Sequence, residues 1–284
     1  MAKKIASILL ITLLTFFLVL SAVIAEEKPA GKAPAKPAEK GEKKPDLKTL
    51  IAKGDALFNQ RTDLKKLKLA KETFEKALKL HPNRYELLWK LARAHYHYGR
   101  RILDDLPKDT PDKEVAKVKK EQEKIFDQGV KYAQKAAKKE PKKVEGHFWL
   151  AVCYGVYGEA RGIMKSLFLV DDIKEETRKA LAIDETFEDG GPHRVLGRVY
   201  FKIPWFVGGS NSKSLKHLRR ALELGPKDTL NYLYLAEVLI DEDEEKEARE
   251  ILEKLVAIKP DPKDLPEALK DIEKGRELLK KLKD

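Results

Sequence analysis

Six histidines, one cysteine and two arginines a helical turn apart are the residues of this 284-residue chain best suited to chemistry. His95 and His97 stand two apart, so on a helix they point about 200° from one another and cannot clasp one metal ion. His193 and His217 fall on different expected helices and could meet, as a polar contact at a helix end. Cys153 lies in the apolar run Leu150-Ala151-Val152-Cys153-Tyr154 and reads as a small core residue rather than a nucleophile. No Gly-x-Ser-x-Gly, His-Glu-x-x-His, Gly-x-Gly-x-x-Gly or Gly-Lys-Ser/Thr motif occurs. The acidic run Asp241 to Glu247 lacks the glycine of a calcium loop and reads as a solvated turn and helix start. The expectation is a non-enzyme with no catalytic residue, no metal and no cofactor. What remains is recognition, with Arg194 and Arg198 placed so that both guanidinium groups could reach one carboxylate.

Helices must position these side chains. From Leu47 onward apolar residues recur at i, i+3, i+4, and proline-marked breaks return at Pro82, Pro141, Pro226 and Pro260. Aligned back from each break, Ala70-Phe74-Ala77, Gly129-Ala133-Ala136, Ser214-Leu218-Ala221 and Ala248-Leu252-Leu255 share one spacing; Ile173-Thr177-Ala180 keeps it with Glu185 in place of proline. Each set follows a helix signed by an apolar, a small and a large residue: Leu91-Ala92-His95, Leu150-Ala151-Tyr154, Leu196-Gly197-Tyr200 and Leu235-Ala236-Leu239, with Lys53-Gly54-Leu57 a weaker first copy. This is the tetratricopeptide pattern. It predicts an all-α, right-handed solenoid of five helix-turn-helix repeats over 47–284, capped by a helix near Leu265 to Leu282. The first four repeats carry insertions between their helices, the largest around Arg100 to Lys124.

The fourth repeat is the most distinctive. Leu196-Gly197, then Ile203-Pro204, then Gly208-Gly209 ahead of a helix ending Arg220-Ala221-Leu222 resembles the T-component proteins of tripartite ATP-independent periplasmic transporters. That resemblance implies a non-catalytic periplasmic partner of a transporter's substrate-binding subunit. The chain departs from many members in lacking a lipid-bearing cysteine. An animal family of microtubule-associated repeat proteins is distantly similar. Physically, Pro204 should end its helix, Gly208 and Gly209 suit a tight or left-handed turn, and Trp205 and Phe206 are expected to fold the loop back onto the solenoid.

By the geometry of the repeat, the first helix of each pair faces the concave side. The expected ligand or partner surface there is Trp89, Arg93, Tyr96, Phe148, Arg194, Arg198, Phe201 and Glu237, with Pro204, Trp205, Gly208 and Gly209 forming an adjoining loop. The alternative is that the aromatics pack between repeats and the arginines pair with local acids.

Composition narrows the partners. Lys+Arg 58 against Asp+Glu 47 leave a formal net charge of +11, yet even the most basic insertion interleaves its acids, so no single-sign stripe for nucleic acid results. Lys3 and Lys4, the apolar run Ile5 to Ile24 and Val23-Ile24-Ala25 read as an export signal over 1–25, cut ahead of Glu26. An uncleaved anchor is the alternative and would be the only membrane contact. Residues 26–46, rich in Lys, Pro and Ala, read as a disordered linker. The expectation is thus an exported, periplasmic adaptor docking another protein, with carriage of a small organic anion and a scaffold role in the envelope as alternatives, and a homo-oligomer compatible with each.

Overall fold

The computed structural model describes residues 46–262 and 265–282. The expected signal over 1–25 and all but the last residue of the linker lie outside them. Twelve α-helices follow one another among the described residues. They are α1 (Leu47–Phe58), α2 (Leu64–Leu80), α3 (Tyr85–Asp104), α4 (Asp112–Lys139), α5 (Val144–Arg161), α6 (Ile163–Leu167), α7 (Val170–Ile183), α8 (Phe187–Lys202), α9 (Asn211–Leu224), α10 (Thr229–Asp241), α11 (Glu245–Ala257) and α12 (Leu265–Lys281). Five antiparallel pairs form: α1 with α2, α3 with α4, α5 with α7, α8 with α9 and α10 with α11. The repeat assignment therefore holds, with α12 packed on α10 and α11.

Local chemistry sets the ends. Asp46, Asp63, Ser210 and Asp228 each accept a backbone N–H of the first turn of α1, α2, α9 and α10, satisfying donors the helix cannot. The repeat residues Ala70, Phe74, Ala77, Ala133, Ala136, Leu218, Ala221, Ala248, Leu252 and Leu255 are all buried. Small residues are needed where the paired helices close: a Cβ on Gly54 would lie 2.3 Å from Phe74, and one on Gly197 would lie 2.5 Å from Leu218. The insertions lengthen α3 and α4 into a protruding hairpin, add α6 to the third repeat and add a 3-10 turn, Trp205–Val207, to the fourth.

Two features depart from an open array. Within α8, Glu188, Asp189 and Gly190 all have positive φ (49°, 56° and 77°), so the regular helix begins at Gly191-Pro192. And α12 is more than a cap. Its apolar side, Ala268, Ile272 and Gly275, is buried, Gly275 lying against Leu255 of α11. Its polar residues reach the opposite end of the solenoid: Glu267 sits 3.0 Å from His97 Nδ1 and 3.8 Å from Arg61 Nε, and Lys270 sits 2.6 Å from Asp104. The concave face is bridged by the chain's own last helix.

Candidate functional site

The concave-side cluster draws side chains from α3, α5, α8 and α10, with α12 reaching it through Glu267. On α3, the Arg93 guanidinium lies over the ring of Phe58 at 4.0 Å and over Trp89 at 5.1 Å, with Asp55 3.9 Å away. Burial lowers its pKa. Tyr96, one turn on, packs against Trp149 of α5 with ring centroids 5.7 Å apart, and burial pushes its hydroxyl up to about 12. From α8, Arg194 donates to Asp228 Oδ2 and to Asn231 Oδ1, both at 2.9 Å. Arg198 pairs with Glu237 of α10 and lies over the Tyr234 ring at 4.1 Å. Phe201 packs, half-buried, against the α10–α11 core.

These contacts correct three sequence expectations. Arg194 and Arg198 do not share a carboxylate, because α10 brings a separate acid to each. Phe148 is 2% exposed, wedged edge-on against Trp149 and Phe187, and belongs to the core rather than to a binding surface. Trp205 and Phe206 do not fold back: they are 83% and 68% exposed. The turn that carries them is closed by its own backbone, Gly208 N–H to Trp205 O and Gly209 N–H to Pro204 O at 3.0 Å each, and so turns both rings outward. The glycines themselves are required, with Gly208 at φ 90° and a Cβ on Gly209 falling 2.0 Å from Ile203 O. Pro204 caps this turn directly after α8.

The other reactive side chains have structural partners. His193 and His217 do meet, Nδ1 to Nδ1 at 2.9 Å, and His193 Nε2 lies 3.0 Å from Glu185 Oε2. Among the described residues no group of three metal-ligating side chains forms. Burial pushes the Cys153 thiol up, away from the reactive thiolate. His95 is buried, its Nδ1 2.8 Å from Leu91 O, on the opposite side of α3 from His97, as their spacing requires.

Sequence reasoning missed Asn231 and the acids of α12. Asn231 is fully buried, and its Nδ2 lies within 3.0–3.1 Å of the carbonyls of Asp189, Ala221 and Gly225. It fixes the left-handed entry to α8 and, through Oδ1, the direction of Arg194. Asp271 accepts from Thr229 Oγ1 at 2.8 Å. Burial pushes its carboxyl up to about 6, with Asp228 adding to the rise and Thr229, Arg100 and Arg194 opposing it. A carboxyl raised on folding holds its proton longer in the folded state, so Asp271 detracts from stability above about pH 6, and that penalty fades as pH falls toward 4. Asp271→Asn is expected to stabilise the chain by about 1–2 kcal/mol at pH 8 and to have no effect at pH 4. Melting curves at both pH values check the sign; equal shifts at both would refute the buried carboxylate.

The family described as regulator of microtubule dynamics protein 1-3 matches residues 50–205, from α1 through the end of α8. The chain belongs to this family. A tetratricopeptide-repeat pattern matches residues 209–270, completing the array. Among solved structures, TTC0263, a thermophilic tetratricopeptide protein of Thermus thermophilus, is similar at 18% identity and a TM-score of 0.56 over 80% of this chain and 97% of that one. The structure of MamA is similar at 16% identity and a TM-score of 0.44 over 79% and 96%. A search of the curated proteins finds no match. Of the family resemblance drawn by sequence, the tetratricopeptide architecture is what these matches show; the family matched over 50–205 is the microtubule-associated one that the sequence reading ranked below the T-component proteins.

Proposed function

We propose that this chain is a non-catalytic adaptor that binds another protein through its concave face, in the periplasm, with a transporter's substrate-binding subunit as the partner. The observation that carries the reading is the cluster of aromatic and arginine side chains drawn from four first helices, with Arg194 and Arg198 oriented by Asp228, Asn231 and Glu237. Preorganised guanidinium groups lose little freedom on binding an acidic surface, and each charge-assisted hydrogen bond contributes about 1.5–3 kcal/mol when desolvated. The family's name refers to microtubule dynamics. The export signal read from Lys3 to Ala25 separates this chain from tubulin, so the property carried over is repeat-mediated protein binding. Intact-mass analysis of the exported protein tests the compartment: a mature chain starting at Glu26 is expected, and retention of Met1 refutes cleavage.

Calorimetric titration with solute-binding proteins of the same cell envelope tests the partner. Arg198→Ala is expected to weaken binding by roughly tenfold or more, and Arg198→Lys nearly as much, since an ammonium cannot reproduce the planar fork over Tyr234. Unchanged affinity in both variants would move the partner surface away from the concave cluster. A second reading, carriage of a small organic anion, is favoured by three buried donors without partners there, Arg93 Nε, Trp149 Nε1 and Arg198 Nε. Mass spectrometry of the denatured native protein distinguishes it by releasing a stoichiometric acid.

A further inference from the structure

Exposed apolar side chains gather at one edge of the solenoid. The 3-10 turn after α8 carries Trp205 and Phe206 edge to face, ring centroids 5.9 Å apart, with Val207 exposed beside them. The segment between α5 and α7 carries Met164 and Phe168, 73% and 85% exposed. Lys174 of α7 joins the two segments. Its ammonium lies 5.1 Å from the Tyr200 ring centroid near the end of α8, and a Cβ on Gly208 would fall 3.4 Å from it. The α6–α7 junction therefore lies at the edge where α8 gives way to the aromatic turn.

None of these exposed side chains belongs to the buried core. The turn is closed by its own backbone and pinned to α8 by Ser210 N–H to Tyr200 O at 2.9 Å. Large rings held in water by a fixed turn are disfavoured unless something covers them. The charge around them indicates what does. From Gly190 to Leu222 the sequence holds seven Lys/Arg and no Asp or Glu. The four arginines pair with acids of other segments. Lys202, Lys213 and Lys216 are exposed, and among the described residues no carboxylate lies within ion-pair distance of them. Acids beside the turn are occupied: Asn211 Nδ2 donates to Asp241 at 2.8 Å and to Glu242 at 2.6 Å. Asp171 and Asp172 open α7, where the positive helix end offsets their charge.

An apolar tip flanked by lysines suits a second copy poorly, because the lysines of both would meet. It also stands out on a turn rather than lining a groove for a peptide. It fits an anionic bilayer surface, where aromatic rings settle at headgroup level and lysines meet phosphates. We propose that this edge docks on anionic phospholipid, with Trp205, Phe206 and Phe168 entering the headgroup layer and Lys202 and Lys213 meeting phosphates. The proposal goes beyond the adaptor reading and does not rest on it.

The test mixes the exported chain, from Glu26 onward, with vesicles of equimolar phosphatidylglycerol and phosphatidylcholine, or of phosphatidylcholine alone, and reads binding by co-sedimentation. Tryptophan emission adds a local readout, because Trp149 is buried, Trp89 half-buried and Trp205 exposed. A blue shift and quenching by brominated lipid are expected with the anionic vesicles, and binding at least tenfold weaker to the neutral ones. Trp205→Ala combined with Phe206→Ala should weaken binding at least tenfold, as should Lys202→Gln combined with Lys213→Gln, with melting temperatures unchanged. Arg198→Ala should leave vesicle binding unaltered, so the edge and the concave cluster are tested separately. No co-sedimentation, an unshifted emission or equal binding by all variants overturns the proposal. A dimer in solution that the Trp205→Ala and Phe206→Ala pair abolishes assigns the edge to a second copy and overturns it too. A solute-binding protein that loses affinity for the same pair without lipid does likewise, and leaves the adaptor reading standing.

Discussion

Replacing Asn231 by leucine should lower the unfolding free energy by about 2–4 kcal/mol. Leucine nearly matches asparagine in bulk but offers neither donor nor acceptor. The carbonyls of Asp189, Ala221 and Gly225 would lose their shared partner, and Arg194 would lose the Asn231 acceptor. Each unsatisfied buried group costs about 1–3 kcal/mol, and the sum is discounted because Ala221 O still accepts from Gly225 N–H and Gly225 O from Asp228 N–H. Asn231→Asp keeps the acceptor for Arg194 but aims carboxylate oxygen at carbonyl oxygen, so it should be no milder. Urea unfolding measures both. A loss below about 1 kcal/mol for leucine would mean that the left-handed entry to α8 holds without the amide.

A cycle at Gly54 and Phe74 has a comparable magnitude and tests the repeat contact itself. Phe74 is fully buried, so Phe74→Ala should cost about 3–5 kcal/mol through the lost transfer energy and the cavity. Gly54→Ala should cost about 1–3 kcal/mol, because its methyl would lie 2.3 Å from the Phe74 ring. In the double variant the methyl enters space the ring has vacated. The combined loss should therefore fall short of the sum by at least about 1 kcal/mol. Additivity would show that the two helices do not meet at this point.

Gly54 and Phe74 were legible in the sequence because both belong to a spacing repeated five times, and periodicity survives without knowledge of tertiary placement. The pair boundaries, the buried alanines and the position of α12 followed from the same signal. Asn231 was not legible: its three carbonyl partners depend on how α8 enters the fold, and nothing in the local sequence announces three consecutive left-handed residues at Glu188, Asp189 and Gly190. The concave list located Arg194, Arg198 and Glu237 together, but the assignment of each arginine to its own acid depends on the rotation between adjacent repeats. Trp205 and Phe206 misled for a simpler reason. Apolar side chains suggest burial, and here a turn closed by its own backbone overrides that tendency. Glu267 and Lys270 read as solvated charges because their partners on α3 lie 170 and 166 positions away.

That last separation changes how the molecule should unfold. In a linear stack each repeat touches only its neighbours, stability is close to a sum of local terms, and the ends fray independently of the middle. Here Arg61 and His97 near one end are tied to Glu267 at the other, so the stack is a closed loop rather than a spring with two free ends. Loosening the first repeat then breaks a contact of the last, and end fraying becomes coupled to global unfolding. The same tie adds contacts of very long sequence separation to an otherwise local topology, and these should form late in folding. Amide exchange in α1 and α12 should accordingly slow together when the loop is closed and quicken together when Glu267 is removed.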